Sequence, residues 1–425
     1  MRIMESTAHE KGTMAHTLTA TPVAARAVTS TDDRPINPRV VAIAALLLLG
    51  GVVYLQRLVD WRHAALYLVG ALAGVALYHA AFGFTSPWRV FVSDRRSGGL
   101  RAQMLMLALA CALFIPLLAS GTEMFGQPLR GAVAPVGVSV VVGAFLFGLG
   151  MQLGGGCASG TLYTAGGGNT RMVVTLLFFI VGSVVGTAHV PYWHATPSLG
   201  AISLVDSAGA FGALGMSLGA FAVIALGAAA LERRRHGTVA PLRGRGEDPG
   251  RWLYGPWPIV WGAVALVVVN VATLLLAGRP WGVTSAFALW GAKSLAALGV
   301  DITSWEYWST PGRIASLEAP VLTDTTSVMN IGILLGALTA AGLRGRFRPV
   351  WRVPIKSLTA AVIGGLLLGY GARLAYGCNI GAYFSGVSSA SLHGWLWFAS
   401  AGIGTVAGTY LRPFFGMVVE RTPEG

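Results

Sequence analysis

The chain has 425 residues, of which 54% are apolar and 11% are charged, and its formal net charge is +13. A typical soluble protein is about 45–50% apolar and about 25% charged, so the scarcity of charge excludes an ordinary water-soluble fold. The basic residues lie in short loops between apolar runs. This arrangement is explained better by orientation in a membrane than by nucleic-acid binding.

The N-terminal part of the chain is polar and rich in Thr and Ala. It contains no short apolar core followed by a cleavage site, so no secretory signal is predicted. We expect residues 1–38 to form a disordered tail on the cytoplasmic side of a membrane.

Ten apolar stretches follow, and each is about as long as a helix that crosses a bilayer. Membrane strands would show alternation with a period of two, which is absent here, so the predicted spans are helices. The expected domains are a first membrane repeat at 39–231, a basic cytoplasmic linker at 232–256 and a second membrane repeat at 257–425. The predicted spans are residues 39–57, 64–82, 101–120, 131–153, 171–190, 211–231, 257–277, 326–343, 355–375 and 393–411.

Three strongly basic loops predict the orientation of these spans. They cover residues 94–101, 233–251 and 344–356, and all three face the cytoplasm if positive residues stay inside. The ten spans then place both termini in the cytoplasm, as in a multi-pass protein of the bacterial inner (plasma) membrane. The predicted outer loops at 188–210 and 301–325 are neutral to acidic, in agreement with this orientation.

An internal repeat is the strongest feature of the chain. Residues 148–160 (GLGMQLGGGCASG) and 369–381 (GYGARLAYGCNIG) share six identities in the pattern G-x-G-x-x-L-x-x-G-C-x-x-G. A second pair, Gly83–Ser86 and Gly282–Ser285, lies upstream in the same order. Because each half contains five spans, the two repeats run through the membrane in opposite directions, as in secondary transporters.

The segments that follow the two Gly-Cys pairs, 158–168 and 379–390, are too short to cross a membrane. Together with the segments after Thr85 and Thr284, they are predicted to be half-helices or re-entrant turns. The expected fold class is an all-α integral membrane protein with about ten transmembrane helices plus re-entrant half-helices in two inverted pseudo-symmetric repeats.

The paired Gly-Cys motifs are the candidate substrate-binding site. Glycine permits a sharp turn and a close approach to a ligand, and a helix N-terminus presents free N–H groups to an anion. A thiol adds a weak donor and a polarisable acceptor, which suits a small sulfur-containing anion. For a lone cysteine, packing is the more common role, but matched positions in two repeats favour a site. The motif residues are Gly156, Cys157, Gly160, Gly377, Cys378 and Gly381.

Polar residues near the motifs are further candidates for substrate binding. Asn379 adjoins Cys378 and is placed to hydrogen-bond the substrate. Arg373, which aligns with Gln152, either binds the anion or extends to the membrane interface. Lys293 admits the same two interpretations.

Four hydroxyl side chains belong to the upstream pair of repeated segments, and Cys111 stands outside the repeats. The hydroxyls either bind the anion or cap helices, and capping is the interpretation that we favour. Cys111 has no counterpart in the other half and is interpreted as a packing residue. The hydroxyl residues are Thr85, Ser86, Thr284 and Ser285.

At the paired Gly-Cys motifs the chain resembles the YeeE/YedE family of sulfur-transport membrane proteins, whose members include thiosulfate permeases. The resemblance covers most of residues 64–411 and is most specific at the two motifs. It implies an hourglass of full spans and half-helices, with Cys157 and Cys378 as the paired cysteines of the substrate path. Thiosulfate permeases of the family use a further cysteine near the start of the first repeat, and the stretch around Gly83–Ser86 has none.

The predicted function is a membrane permease that takes up a small sulfur-containing anion, thiosulfate or a related sulfur or selenium compound. The alternative is a membrane sulfur-transfer enzyme, in which a motif cysteine carries a persulfide to a cytoplasmic carrier. A structural anchor would leave the repeated motifs unexplained. The resemblance also implies that a small soluble sulfur-carrier protein docks at the cytoplasmic face. No catalytic residue, metal, cofactor or nucleic-acid partner is expected.

Overall fold

The computed structural model describes residues 36–242 and 251–420, except for the side chain of Arg251. Residues 1–35 of the predicted tail and 243–250 of the predicted linker lie outside the described residues.

Helices make up most of the described chain. In chain order, the helices of the first half are α1 (Pro38–Leu58), α2 (Trp61–Ala80), α3 (Thr85–Asp94), α4 (Gly98–Ala119), α5 (Val138–Gly154), α6 (Ala158–Gly166), α7 (Thr170–His194) and α8 (Leu204–His236). Those of the second half are α9 (Arg251–Tyr254), α10 (Ile259–Ala277), α11 (Thr284–Ala297), α12 (Pro311–Glu318), α13 (Thr325–Leu343), α14 (Ile355–Leu374), α15 (Ser385–Ser388) and α16 (Leu392–Leu411). A π-helix covers Asn379–Phe384, and 3₁₀ turns cover Val321–Thr323 and Arg412–Phe415.

The described residues contain nine helical stretches that are long and apolar enough to cross a membrane. This confirms the prediction of an all-α, multi-pass membrane protein. The nine stretches correspond in order to the first nine predicted spans, whereas the tenth, at 393–411, corresponds to α16, which is not among them. The four segments predicted to be half-helices or re-entrant turns form α3, α6, α11 and the π-helix with α15.

Predicted boundaries differ from the structure most at α5 and α8. The span predicted at 131–153 begins only at Val138, because β3 (Pro135–Gly137) pairs antiparallel with β4 (Ser198–Ala201) just before it. The predicted linker also starts too early, since α8 continues to His236. A second small ladder, β1 (Glu123–Met124) with β2 (Gln127–Pro128), lies between α4 and α5.

Glycines allow the long helices to pack with their backbones in close contact. A Cβ added at Gly336 of α13 would lie 2.0 Å from the carbonyl oxygen of Ala71 in α2. At the crossing of α5 and α16, a Cβ on Gly148 would lie 2.1 Å from the carbonyl oxygen of Ala401. Small residues at such crossings are the usual packing device of membrane helices.

The three predicted basic loops gather at one end of the helices, which we call the basic face. The backbone N–H of Ser97, in the first loop, donates to Glu232 of α8 at 3.1 Å, close to the start of the second loop. Arg171 at the start of α7 donates to Ser357 Oγ of α14 at 2.8 Å, just after the third loop. The segment that follows α16 joins these groups, because it contacts both α3 and α7.

Candidate functional site

Each motif cysteine lies directly before a short helix. Cys157 is the N-cap residue of α6, and Cys378 occupies the same position before the π-helix. Both have extended backbone conformations and side chains that are 1% exposed. Each thiol is therefore enclosed by protein at the start of a half-helix, as the repeated motif predicts.

Backbone groups from two helix starts surround the Cys157 thiol. The backbone N–H groups of Phe84 and Gly160 face this thiol, and Ser159 Oγ lies 3.6 Å from Sγ. Phe84 is the N-cap residue of α3, so the starts of α3 and α6 meet at Cys157. The fit around the sulfur is close, because a methyl group added at Gly160 would lie 3.3 Å from Sγ.

The second half places a similar arrangement at Cys378. Backbone N–H groups of Ile380 and Gly381 face its thiol. A Cβ added at Gly381 of the π-helix would lie 3.8 Å from the Cα of Gly282, which is two residues before α11. The π-helix therefore contacts the segment that leads into α11. Gly377 has a φ of +150°, and a Cβ at this position would lie 2.9 Å from a backbone nitrogen. Only glycine fits both requirements.

The two thiols belong to a single site. The short helices that begin after Cys157 and Cys378, α6 and the π-helix, contact each other, and the Arg373 side chain reaches the start of α11. We call these three residues and the four helix starts around them the paired-cysteine site. The glycines of both motifs lie beside the thiols, since Gly156 and Gly377 precede them directly.

Aligned residues of the two motifs make matching contacts with α3 and α11. In the first half, Gln152 Nε2 donates to the backbone oxygen of Thr85 at 3.0 Å. In the second half, Arg373 Nη2 donates to Thr284 Oγ1 at 2.8 Å. The Arg373 side chain is therefore partly buried and extends toward the start of α11.

Several buried polar atoms of the site have no hydrogen-bond partner among the described residues. They are Thr85 Oγ1, both side-chain polar atoms of Asn379, and Arg373 Nε. Native proteins rarely leave such atoms unpaired, and each costs about 1–3 kcal/mol if it stays so. Donors and acceptors of this kind beside two thiols are suited to a polar ligand.

The predicted capping role of the hydroxyl residues is wrong. The N-cap residues of α3 and α11 are Phe84 and Val283, and neither helix has a side-chain cap hydrogen bond. Thr85 and Thr284 are the first residues of α3 and α11. A capping Thr would instead be the residue immediately before the helix. The hydroxyls of these buried threonines are therefore not used to close the helix ends.

The following serines have different surroundings from the threonines. Ser86 and Ser285 are exposed. Ser86 Oγ accepts a hydrogen bond from Arg89 Nη2 at 3.4 Å, and Ser285 Oγ lies 3.0 Å from Thr326 Oγ1. The two serines therefore lie on the solvent-accessible sides of the first turns of α3 and α11.

Lys293 and Cys111 make contacts with backbone carbonyl groups. Lys293 Nζ donates to the carbonyl oxygens of Leu317 and Ala319, the latter at 2.7 Å, and so holds the end of α12. Cys111 is fully buried, and its thiol lies 3.5 Å from the carbonyl oxygen of Val387 in α15. These contacts agree with a structural role for each.

Arg89 is a buried charge near the site that the sequence analysis missed. It lies in α3, is 8% exposed, and donates to Gln152 Oε1 at 3.4 Å and to Glu420. One signal was available: the position that aligns with Arg89 in the second half is Ala288. A single Arg inside a predicted half-helix is a functional candidate by default.

Comparisons with known proteins agree with this architecture. The family described as "Sulphur transport" matches residues 79–407. The chain is 30% identical over 342 residues to the thiosulfate transporter TsuA of Spirochaeta thermophila, a match that covers 77% of this chain and 92% of that protein. It is 24% identical over 388 residues to TsuA of Escherichia coli, covering 81% and 94%.

A third relative matches over a shorter stretch. The probable transporter YedE of Escherichia coli is 32% identical over 174 residues, or 40% of this chain, and the match spans only 42% of the length of YedE. The family match, by contrast, covers all four short helical segments of the site and both Gly-Cys motifs. The chain therefore belongs to the sulphur transport family of membrane proteins.

Proposed function

We propose that this protein is a permease for a small sulfur-containing anion, thiosulfate or a related sulfur or selenium compound, which passes through the paired-cysteine site. The observation that carries this proposal is the set of unpartnered buried polar atoms on Thr85, Asn379 and Arg373 beside the two thiols. The names of the two TsuA relatives support thiosulfate as the first substrate to test.

The chemistry of the site suits such an anion. The first N–H groups of α3, α6 and α11 are free of intrahelical partners and carry the positive end of each helix dipole. Together with the guanidinium of Arg373, they offset the cost of removing the anion from water. The thiols of Cys157 and Cys378 contribute weak S–H donors and polarisable sulfur atoms. Because no covalent bond is needed, the anion leaves as easily as it enters.

The proposed orientation places the basic face in the cytoplasm of a bacterium, with both termini on that side of the inner membrane. The gathering of the basic loops at one end supports this orientation. The matching contacts of Gln152 with Thr85 and of Arg373 with Thr284 support two halves related by inversion, with the binding site between them.

A soluble sulfur carrier is the proposed cytoplasmic partner. A cavity on the basic face is lined by four arginines, Arg171, Arg346, Arg348 and Arg352. These charges favour a carrier with an acidic surface, since complementary charge steers association.

The alternative function, transfer of sulfur through a cysteine persulfide, lacks support from the contacts of the thiols. The hydrogen-bonding neighbours of Cys157 and Cys378 in the described chain are the Ser159 hydroxyl and backbone N–H groups. None of these groups acts as a general base at neutral pH.

Uptake of labelled thiosulfate tests the proposed function. Cells that lack their own permeases would express the wild type, Cys157→Ala, Cys378→Ala or, as the matched control, Cys111→Ala at equal membrane levels. Loss of uptake in the first two variants and retention in the third are expected. Full activity of both motif variants would contradict the site, and a wild type that takes up no thiosulfate, sulfite or selenite would contradict the function.

A further inference from the structure

The buried guanidinium of Arg89 is paired with a carboxylate that comes from the far end of the chain. Arg89 Nε lies 2.7 Å from Glu420 Oε2, and Arg89 Nη2 lies 2.6 Å from Glu420 Oε1. This is the two-pronged geometry in which arginine binds carboxylates and other oxyanions. A buried guanidinium without an anion would be strongly destabilising, so this position requires a negatively charged partner.

Arg89 lies one helical turn beyond the start of α3. Four residues of helix separate it from Thr85, which is about 6 Å along the helix axis. Gln152 connects the two positions, because it accepts from Arg89 Nη1 at 3.4 Å and donates to the Thr85 carbonyl at 3.0 Å. Arg89 is therefore the buried cation next to the paired-cysteine site on the side of the basic face.

Glu420 reaches Arg89 from a segment that folds back over the basic face. Residues 412–420 are held by Arg412, which donates to the carbonyl oxygens of Gln152 and Val418, and by Ser93, which donates to the carbonyl oxygen of Glu420. The side chain of Glu420 is 45% exposed, whereas that of Arg89 is 9% exposed. The carboxylate can thus leave into solvent without opening the protein core, while the guanidinium stays in place.

We propose that Arg89 is a second binding site for the transported anion, between Cys157 and the basic face, and that the Glu420 carboxylate occupies this site when no anion is bound. The inference rests on the proposed function. An anion with a sulfonate-like end presents two oxygens to a guanidinium as a carboxylate does. Exchange of one for the other keeps the buried cation paired throughout.

The asymmetry of the two halves supports this assignment. The position that aligns with Arg89 in α11 is Ala288, which is 1% exposed. In the described residues, α3 therefore carries such an arginine and α11 does not. Such a site draws the anion from the cysteines toward the basic face, and the return of Glu420 then releases it.

Hydrogen exchange on the purified full-length protein tests the displacement of Glu420. Sodium thiosulfate is compared with sodium chloride at equal ionic strength, and exchange is followed in peptides covering residues 412–420. Thiosulfate is expected to accelerate exchange severalfold in this segment, and chloride is not. Equal exchange with both salts would overturn the proposal, because screening rather than occupation of a site would then explain any change.

Three variants make the test independent of transport. Glu420→Gln removes the competing charge and is expected to tighten thiosulfate binding, measured by calorimetry, severalfold relative to wild type. Glu318→Gln, an exposed carboxylate of α12, is the matched control and should bind as wild type does. Arg89→Gln in addition to Glu420→Gln should abolish the gain. Thermal melting checks that Glu420→Gln is folded. If the folded variant binds thiosulfate no more tightly than wild type, the second site is refuted. If it binds more tightly but the protein takes up no thiosulfate, only the permease function is refuted.

Discussion

The close surroundings of the two thiols explain why small residues stand beside them. A methyl group added at Gly160 would lie 3.3 Å from Cys157 Sγ, whereas one added at the equivalent Gly381 would have a Cα atom at 3.8 Å as its nearest neighbour. The same motif position is therefore tight in one half and relaxed in the other. An anion bound at Cys157 shares this restricted volume with the sulfur.

Gly160→Ala is expected to reduce thiosulfate uptake, with Gly381→Ala as its matched control. The added methyl crowds the Cys157 thiol, and overpacking of this kind costs about 1–3 kcal/mol. A loss of roughly tenfold in uptake at low substrate concentration corresponds to about 1.4 kcal/mol. Gly381→Ala should lose less uptake than Gly160→Ala, because its added methyl group meets no atom closer than 3.8 Å. Equal rates for the two variants at matched expression would show that the space beside Cys157 is not used.

The contact of Glu420 with Arg89 should be lost in acid. The hydrogen bonds from Arg89 hold the pKa of Glu420 below its usual value of 4.5, and the charges of Arg89 and Arg412 act in the same direction. A carboxylate whose pKa is lowered in the folded state stabilises that state above its usual pKa, and the effect fades as the pH falls through the lowered value. Residues 412–420 should therefore stay docked at neutral pH, be held less tightly as the pH falls below 4.5, and detach as the pH falls through the lowered pKa of Glu420.

Exchange rates of these backbone amides, corrected for the intrinsic effect of pH, measure the detachment. Glu420→Gln is the control, because its segment should show no transition over the same range. A wild-type segment that, like the control, shows no transition as the pH is lowered would contradict the role of this carboxylate.

At the residue scale, the paired cysteines were predictable, whereas the sequence indicated Arg89 only by its place in a predicted half-helix and did not indicate its partner. The repeat identifies Cys157 and Cys378 because two matched positions are visible in the sequence itself. The pairing of Arg89 with Glu420 joins residues that are far apart in the sequence, and no local pattern indicates such a pairing. The capping interpretation of Thr85 failed because the first residue of a helix depends on backbone geometry, which composition does not determine.

At the scale of elements, the long helices followed from hydrophobic length, and the irregular segments did not. The first nine predicted spans correspond, in chain order, to the nine stretches of the described chain that are long and apolar enough to cross a membrane. They were predictable because apolar length is the main requirement for crossing a bilayer. The strand β3 was missed because its partner β4 comes from a different loop. The half-helices were predictable only because each follows a repeated motif.

The crossing of α2 and α13 is expected to depend on Gly336. A methyl group there would lie 2.0 Å from a carbonyl oxygen of Ala71, so the two backbones must separate. Gly336→Ala should destabilise the protein by about 1–3 kcal/mol, seen as a lower melting temperature in detergent. Gly402→Ala in α16 is the control, since an added Cβ there meets no atom within 4 Å. Equal melting of the two variants would mean that the helices separate without cost.

At the scale of the whole molecule, charge and site geometry are arranged along the same direction. The basic loops, the arginine-lined cavity and the Arg89 site all lie toward one face, and the paired-cysteine site lies further inside. If that face is cytoplasmic, an anion meets more positive charge as it moves inward. The same distribution of charge that orients the protein in the membrane then also favours uptake.

Labelling of introduced cysteines by a membrane-impermeant maleimide in intact cells tests this orientation. The three native cysteines are buried and provide a low background. Ser316→Cys in α12, which belongs to a predicted outer loop, should react from outside, and Arg348→Cys on the basic face should react only after the membrane is permeabilised. Both positions are exposed, so a difference in reactivity reports the side of the membrane. The reverse pattern would place the basic face outside, and the arginines would then attract anions away from the cytoplasm, which is incompatible with uptake through this path.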